Sequence, residues 1–389
     1  MRILTVLTYY RPHTSGLTIY TERLAQALVQ RGHQVTILTS QYMKILPKRE
    51  TLEGVSIVRS PIVARISKGV ISRELGWLAS ELVQTHDIVH LHLPQFDAPG
   101  IALRGRLARR PTILTYHCDI SLPPNPFNNL VNRVVNGMDD LAARFCDRIV
   151  TYTQDYADNS PYLSRFRDRL QIIPPPVVLP QASPEAIQEF GSHYQVRERR
   201  PVIGMAARLA TEKGVEILLD ALPRLLEKYP RAQVLFAGQY QEVLGEEDYA
   251  RKLMPIISRY EAQGHWKFLG VLDPSSMAAF YPNLDVLVVP SLNSTEAFGL
   301  VQIEAMLNGV PCIASNLPGV RQPILTTGMG IVTPIGDSAA LGEALIEILD
   351  EPSKFQADAE AIRRRFTPDA IAAEYEAMFT RLLAQKGCR

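Results

Sequence analysis

Short hydrophobic runs alternate with amphipathic helical stretches along the whole chain. The runs are rich in Val, Ile and Leu without a polar residue at every second position, which is typical of parallel strands covered on both faces. Strands are predicted at 3–8, 34–39, 55–59, 88–92, 112–116, 148–153, 170–173, 202–207, 233–237, 285–289 and 311–315. Helices are predicted at 18–31, 69–85, 127–145, 215–228, 246–263 and 300–308. This alternation predicts an α/β protein with doubly wound sheets.

The domain organisation follows from chain length and from one proline-rich segment. A chain of 389 residues is long enough for two domains of roughly 150 residues or more. The segment 173–180 contains four prolines, which neither a helix nor a sheet can continue, so it is predicted to be a stiff linker. The predicted domains are 1–176 and 177–367. Because α/β sheets bind ligands at the carboxyl ends of their strands, two such domains predict a ligand cleft.

The overall charge is nearly balanced but unevenly distributed. With 41 basic and 40 acidic residues the net charge is +1, which argues against a nucleic-acid partner. Residues 1–180 carry 21 basic and 14 acidic side chains, whereas residues 181–389 carry 20 and 26. Basic residues crowd two short stretches, namely Arg104, Arg106, Arg109 and Arg110, and Arg59, Arg65, Lys68 and Arg73. They are either solvated runs or a peripheral contact with anionic lipid headgroups.

The cysteines and the N-terminus indicate a cytoplasmic protein, with the inner membrane face as its site if the lipid interpretation holds. The four cysteines are far apart and form no C-x-x-C pair, which excludes a spaced zinc or redox motif and fits a reducing compartment. The residues after Met1-Arg2 predict a buried first strand rather than a cleavable signal.

Several enzyme classes are excluded by missing motifs. There is no G-x-x-x-x-G-K-[ST] loop, and the only G-x-G, at 328–330, lacks the third glycine of a dinucleotide fingerprint. No D-x-D occurs, which removes the metal clamp of many sugar transferases, and no H-E-x-x-H occurs either. His90 and His92 alternate on a predicted buried strand and fit core or cleft-lining residues better than metal ligands. No metal site and no cofactor are therefore predicted.

The most informative stretch runs from Ser294 to Glu304. Gly299, at the start of a predicted helix, permits a close approach of backbone to ligand, and the N–H groups of 298–301 favour a phosphate or a polar sugar group. Glu296 precedes the helix and Glu304 lies about 6–7 Å along it. Carboxylates accept two hydrogen bonds from vicinal diols, so one suits a ribose and the other a hexose. The alternative is a capping Glu296 and a Glu304 on the helix surface.

Three further loops carry candidate ligand contacts. Arg208 offers a bidentate fork to phosphate oxygens and Lys213 a mobile charge, both on the loop after strand 202–207. Gly16 precedes a helix after the first strand, where it either admits a phosphate or acceptor or serves the turn geometry alone. His117 follows strand 112–116, at a carboxyl end that favours a cleft residue over a structural histidine.

Together these residues resemble the family 4 retaining glycosyltransferases, which have the GT-B fold. The resemblance rests on the E-x7-E stretch from Glu296 to Glu304, the loop from Arg208 to Gly214, His117 and the first glycine loop. It covers nearly the whole chain and implies two Rossmann-like domains facing each other across a cleft. It also implies a C-terminal helix, 368–389, that returns to the N-terminal domain.

The resemblance implies a role for each matching position. Arg208 and Lys213 would neutralise the diphosphate of a nucleotide sugar, and Glu304 would hold the ribose hydroxyls. The transferred sugar would be held by Glu296 and by the backbone amides of Phe298, Gly299 and Leu300. His117 would contact that sugar from the first domain, and Gly16 would close on the phosphate or the acceptor.

The predicted activity is that of a metal-independent retaining hexosyltransferase using a UDP- or GDP-sugar and the hydroxyl of an acceptor, such as a lipid or glycan precursor. The chain departs from the family pattern at Ser15, where many members have glycine, and at Gln322, where an acidic residue is common. Both departures leave the donor and acceptor open. Two alternatives are a non-hydrolysing sugar-nucleotide epimerase and an inactive sugar-nucleotide-binding subunit.

Overall fold

The protein, seen in a computed structural model that describes residues 1–66, 69–119 and 126–387, divides into two compact units. Unit 1 contains Met1–Val177 together with the chain from Phe366 onward, and unit 2 contains Val178–Arg365. Lys68 of the predicted basic stretch and the last two residues of the predicted C-terminal helix lie outside the described residues.

In its described residues, unit 1 contains a mainly parallel eight-stranded sheet, a separate two-stranded antiparallel sheet at 64–66 and 69–71, and helices. Its strands are β1 (Arg2–Val6), β2 (Gln34–Gln41), β3 (Arg49–Leu52), β4 (Val55–Pro61), β5 (Ala64–Ile66), β6 (Gly69–Ile71), β7 (Ile88–Leu93), β8 (Thr112–Tyr116), β9 (Arg148–Thr151) and β10 (Leu170–Ile172). Its helices in this part of the chain are α1 (Gly16–Gln30), α2 (Leu75–Thr85), α3 (Ala98–Leu107), α4 (Pro126–Phe145) and α5 (Gln154–Asn159). The helix expected over 69–85 is wrong at its start, because 69–71 pairs as a strand with β5.

The sheet of unit 1 has the order β10-β9-β8-β7-β1-β2-β4-β3, with only β3 antiparallel to its neighbour among the pairs described. Every residue of β7 and β8 is buried, as expected of central parallel strands. The order reverses between β1 and β7, so the loops after these strands meet at a switch point.

Unit 2 has the order β13-β12-β11-β14-β15-β16, and all its described strand pairs are parallel. The strands are β11 (Val202–Ala206), β12 (Gln233–Ala237), β13 (Trp266–Gly270), β14 (Val286–Val289), β15 (Cys312–Ser315) and β16 (Gly330–Thr333). The helices are α6 (Pro184–His193), α7 (Val215–Lys228), α8 (Glu247–Ala262), α9 (Pro274–Phe280), α10 (Leu300–Met306), α11 (Gln322–Thr327), α12 (Ser338–Asp350) and α13 (Ala359–Phe366). The order reverses between β11 and β14, whose loops carry most of the candidate residues.

The last helix, α14 (Pro368–Gln385), belongs to unit 1 and packs on α1. Its apolar face is buried through Ile371, Tyr375, Met378, Phe379 and Leu382. The Tyr375 hydroxyl lies 2.7 Å from the Tyr20 hydroxyl and 2.8 Å from that of Thr115. These side chains recur at helical spacing, so one face of α14 is buried in unit 1.

Candidate active site

The loops after β11 and β14 are hydrogen-bonded to each other and packed closely within unit 2. The N–H of Leu292 donates to the carbonyl of Glu212 at 2.9 Å. Gly214 has a φ of +65°, and a Cβ there would lie 2.1 Å from the carbonyl oxygen of Pro290. On the other side of the loop, the Thr211 N–H and hydroxyl donate to Glu246 at 2.9 and 2.7 Å. The loop that carries the two candidate cations is thus held in place from both sides.

Lys213 and Glu296, two of the predicted site residues, are in direct contact. The Lys213 ammonium donates to Glu296 Oε2 at 2.7 Å, and both side chains are about one-fifth exposed. Burial raises the pKa of the Glu296 carboxyl, but Lys213 and the N–H groups of Gly299 and Phe298 outweigh it, so the net pKa lies below its usual value. Glu296 is therefore ionised at neutral pH, and its charge is matched by that of Lys213.

Glu296 also caps the turn before α10, which the sequence analysis treated as the alternative to ligand binding. Its Oε1 accepts the Gly299 N–H at 3.0 Å, so this amide is engaged within the protein. Gly299 itself has a φ of +77°, and a Cβ there would lie 2.6 Å from Gln302 Nε2. The fold alone therefore requires this glycine, whereas the sequence analysis had explained it by the approach of a ligand.

Arg208 and Glu304 complete the predicted set in unit 2. Arg208 is half-exposed and donates to Glu212 Oε1, four residues later in the chain, at 3.0 Å. Glu304 is only 7% exposed, so the alternative of a surface helix residue is wrong. Its Oε2 accepts the Tyr281 hydroxyl at 2.7 Å, a contact that the sequence analysis missed because no motif joins residues 23 positions apart.

In unit 1, Gly16 is the first residue of α1, after Ser15, whose hydroxyl accepts the Thr18 N–H at 3.2 Å. Gly16 does not have a positive φ, and no heavy atom lies within 4 Å of the position a Cβ would take. The fold of unit 1 therefore does not require glycine at this position. The interpretation based on turn geometry alone loses its support, and the interpretation based on ligand contact remains.

His117 lies at the carboxyl end of β8, in a buried chain of polar rings. Its Nε2 is 2.8 Å from His92 Nδ1, and its Nδ1 is within hydrogen-bonding distance of the Tyr152 hydroxyl. Burial, together with the neighbouring His90 ring, lowers the pKa of His117 to about 3, so the ring is neutral at pH 7. Both ring nitrogens are thus engaged by partners in unit 1, His92 and Tyr152, neither of which the sequence had linked to His117.

One residue of a predicted basic stretch does not lie on the surface. Arg59, on β4, is buried, forms an ion pair with Glu50 and donates to the carbonyls of Arg11 and Pro47 at 2.9 and 3.1 Å. Neither interpretation of this run, solvated or lipid-facing, holds for Arg59, because its guanidinium is buried and bound to partners within the protein. Arg104 donates to Ser80 Oγ and the Gly100 carbonyl at 2.8 and 2.7 Å.

Within 1–66, 69–119 and 126–387, no helix is both long and apolar enough to cross a bilayer. In the same ranges no three His, Cys, Asp or Glu side chains come together as a group that could hold a metal ion.

Comparison with known proteins identifies the family. The family model described as Glycosyltransferase Family 4 matches residues 14–179, and the model described as Glycosyl transferases group 1 matches residues 187–365. A phosphatidyl-myo-inositol mannosyltransferase from Mycobacterium leprae is 29% identical over 378 residues, which span 94% of this chain and 92% of that protein.

Two solved structures establish the fold. Sucrose-phosphate synthase from Thermosynechococcus elongatus superposes with a TM-score of 0.78 at 21% identity, over 99% of both chains. Anabaena Alr3699/HepE, solved in complex with UDP-glucose, superposes with a TM-score of 0.76 at 20% identity, over 98% of this chain and 100% of that one. The GT-B fold expected from the sequence is confirmed, and the chain belongs to the family 4 glycosyltransferases.

Proposed function

We propose that this glycosyltransferase moves a hexosyl group from a UDP- or GDP-sugar to a hydroxyl group of an acceptor, with retention of the anomeric configuration. The observation that carries the proposal is the contact between Lys213 and Glu296 at the switch point of unit 2. A cation for a diphosphate and a carboxylate for sugar hydroxyls are adjacent there, at the sheet edge where α/β domains bind ligands. The Anabaena structure supports a nucleotide-sugar donor by the UDP-glucose it contains.

We assign the diphosphate to Arg208 and Lys213. In the structure each cation is paired with a carboxylate of its own unit, Glu212 and Glu296 respectively. A diphosphate carries more negative charge than one carboxylate and presents several oxygens, so it competes with these partners. When Lys213 turns to the phosphate, the Glu296 carboxylate becomes available to hydroxyls of the transferred sugar.

The proposed chemistry depends on stabilising the leaving group. The transition state resembles an oxocarbenium ion departing from a diphosphate, and Arg208 and Lys213 stabilise the negative charge that grows on that group. No metal is part of this proposal. The acceptor attacks from the face that the diphosphate leaves, and the departing phosphate oxygen takes the proton of the acceptor hydroxyl.

The remaining roles are assigned to Glu304 and to two residues of unit 1. Glu304 accepts hydrogen bonds from the ribose hydroxyls of the donor. His117, neutral and held by its neighbours, contacts the transferred sugar. Gly16 leaves room at the start of α1 for a phosphate or for the acceptor.

For the acceptor we propose a lipid or glycan precursor, reached at the inner face of an anionic membrane. The name of the Mycobacterium leprae relative, which specifies a phosphatidylinositol substrate, supports a lipid-linked class. Arg59 takes no part in such a contact, because it is buried. Exposed Arg65, Arg73 and Arg106 remain on the surface of unit 1 for anionic headgroups.

The test compares Glu304→Gln with Glu296→Gln after a thermal-shift screen has identified the nucleotide sugar that binds. Ligand binding raises the apparent stability, so the screen needs no knowledge of the acceptor. Glu304→Gln is expected to weaken nucleotide binding, whereas Glu296→Gln chiefly slows transfer. Glu343→Gln, an exposed partner of Arg224, is the matched control.

Two outcomes of this test contradict the proposal. If both variants keep full donor binding and full activity, the site is misplaced. If the products with and without acceptor are the same epimerised nucleotide sugar, the enzyme is an epimerase and not a transferase.

A further inference from the structure

The carboxylate of Glu304 has a buried partner that no sequence motif indicates. Tyr281 has no exposed surface, and its hydroxyl donates to Glu304 Oε2 at 2.7 Å. Tyr281 begins the 3-10 turn Tyr281–Asn283, which lies between α9 and β14, whereas Glu304 lies on α10, after that strand. The contact therefore joins two elements on either side of β14.

The turn that carries Tyr281 is itself fixed. The Asn283 side-chain amide donates to the carbonyls of Ala279 at 2.8 Å and of Ile187 at 3.0 Å. The Tyr281 ring packs edge-on against Phe280, with ring centroids 5.2 Å apart. A tyrosine has two side-chain torsions, and here the ring is enclosed, so the position of its hydroxyl is set by the backbone of unit 2.

The carboxylate, in contrast, needs an external constraint. A glutamate side chain has three torsions, and a carboxylate that accepts both hydroxyls of a vicinal diol must present its two oxygens in one orientation. The Tyr281 hydroxyl fixes Oε2 and thereby the plane of the carboxylate. It also supplies a hydrogen bond to a charged acceptor in a buried place, where such bonds are strong.

We propose that Tyr281 is a positioning residue that orients Glu304 toward the ribose of the donor nucleotide. The inference rests on the proposed function, which assigns the ribose hydroxyls to Glu304. It goes beyond that function by making the preference for a ribonucleotide over a deoxyribonucleotide depend on a residue that does not touch the ligand. A merely structural tyrosine would affect both nucleotides equally.

The experiment measures the ratio of two affinities on the full-length protein. Isothermal titration gives Kd for the nucleoside diphosphate found in the donor screen and for its 2′-deoxy and 3′-deoxy analogues. Tyr281→Phe removes one oxygen atom and is expected to weaken ribonucleotide binding by about tenfold, while deoxynucleotide binding changes little. The ratio of deoxy to ribo Kd is therefore expected to fall by about tenfold.

The matched control is Tyr229→Phe, because the Tyr229 hydroxyl also donates to a carboxylate of unit 2, Asp350 Oδ1, at 2.6 Å. This variant should keep the wild-type ratio. All Kd values for one variant come from the same preparation. An unfolded fraction therefore changes neither the 2′-deoxy to ribo ratio nor the 3′-deoxy to ribo ratio of these Kd values. The comparison therefore remains informative if Tyr281→Phe is less stable than the wild type.

Glu304→Gln separates failure of the inference from failure of the proposed function. If Glu304→Gln lowers the ratio and Tyr281→Phe does not, Glu304 binds the ribose without help and the inference is overturned. If Glu304→Gln itself leaves the ratio unchanged, the assignment of the ribose to Glu304 is wrong, and the inference fails with it. A fall in the ratio for both variants, but not for Tyr229→Phe, supports the inference.

Discussion

Replacing Gly16 by alanine tests whether the first helix of unit 1 begins with glycine for folding or for function. The added Cβ would have no heavy atom within 4 Å, and the backbone does not occupy the positive-φ region. The folded protein therefore accommodates the methyl group without strain. Alanine also loses less conformational entropy than glycine when a helix forms.

The expected change in stability follows from this geometry. Gly16→Ala should raise the free energy of unfolding by up to about 1 kcal/mol, because glycine is the poorer helix former by that amount. For a unit of this size the melting temperature should rise by about 2–4 °C. Gly214→Ala should do the opposite, because its Cβ would lie 2.1 Å from a backbone oxygen at a φ of +65°.

The expected change in activity has the opposite sign. If the open space beside Gly16 is where a phosphate or the acceptor lies, the methyl group occupies it, and kcat/KM should fall at least about tenfold, equivalent to about 1.4 kcal/mol. The assay follows release of the nucleoside diphosphate with saturating donor. Melting curves of the same samples show that the protein is folded.

Gly137→Ala is the matched control for this prediction. Gly137 lies within α4 of the same unit, also without a positive φ and with no heavy atom within 4 Å of its Cβ position. It should gain stability like Gly16→Ala but keep full activity. If Gly16→Ala is stabilised and retains the wild-type kcat/KM, the space beside Gly16 is not used by a ligand, and the reasoning is refuted.

Three other changes give distinct readouts. Lys213→Met should raise the donor KM and also raise the pKa of Glu296, because burial of that carboxyl is no longer offset; the acid limb of the pH–activity profile reports the shift. Burial raises the pKa of Asp139 from 3.8 to about 8, so the stability it contributes is complete below pH 3.8 and is lost as the pH rises toward 8. The free energy of unfolding of Asp139→Asn, measured with denaturant, should thus rise relative to that of the wild type by up to about 1.4 kcal/mol per pH unit over that window. A difference that does not change with pH would contradict the raised pKa of Asp139. Tyr375→Phe removes a hydroxyl shared with Tyr20 and Thr115, and should lower the free energy of unfolding by about 1–2 kcal/mol in chemical denaturation; an unchanged midpoint would contradict a stabilising role for these bonds.

The parallel strands and the main helices could be predicted because burial on both faces leaves long apolar runs. The helix predicted at 215–228 agrees with α7 at both ends, where Gly214 and the end of the amphipathic pattern mark its limits. The short β5 and β6 could not be predicted, since a three-residue strand in a hairpin has no periodicity to read. β13 and β16 were missed although they complete the sheet of unit 2.

Within the candidate site, the sequence predicted two residues that contact each other, Lys213 and Glu296, but not what they do without a ligand. The proximity of Lys213 and Glu296 follows from loops at neighbouring strand ends, which topology dictates. The capping of Gly299 by Glu296 depends on side-chain torsions, and the bond from Tyr281 to Glu304 depends on long-range packing. Neither contact can be predicted from residue spacing or composition.

The placement of α14 has a consequence for biosynthesis. Helix α14, which packs on α1 beside Tyr20, is synthesised after every residue of unit 2. Unit 2 is continuous in sequence and can fold without α14, whereas residues 1–177 expose the apolar surface that α14 covers until that helix is synthesised. A chain that ends at residue 365 should therefore have a protease-resistant unit 2 and a protease-sensitive first half.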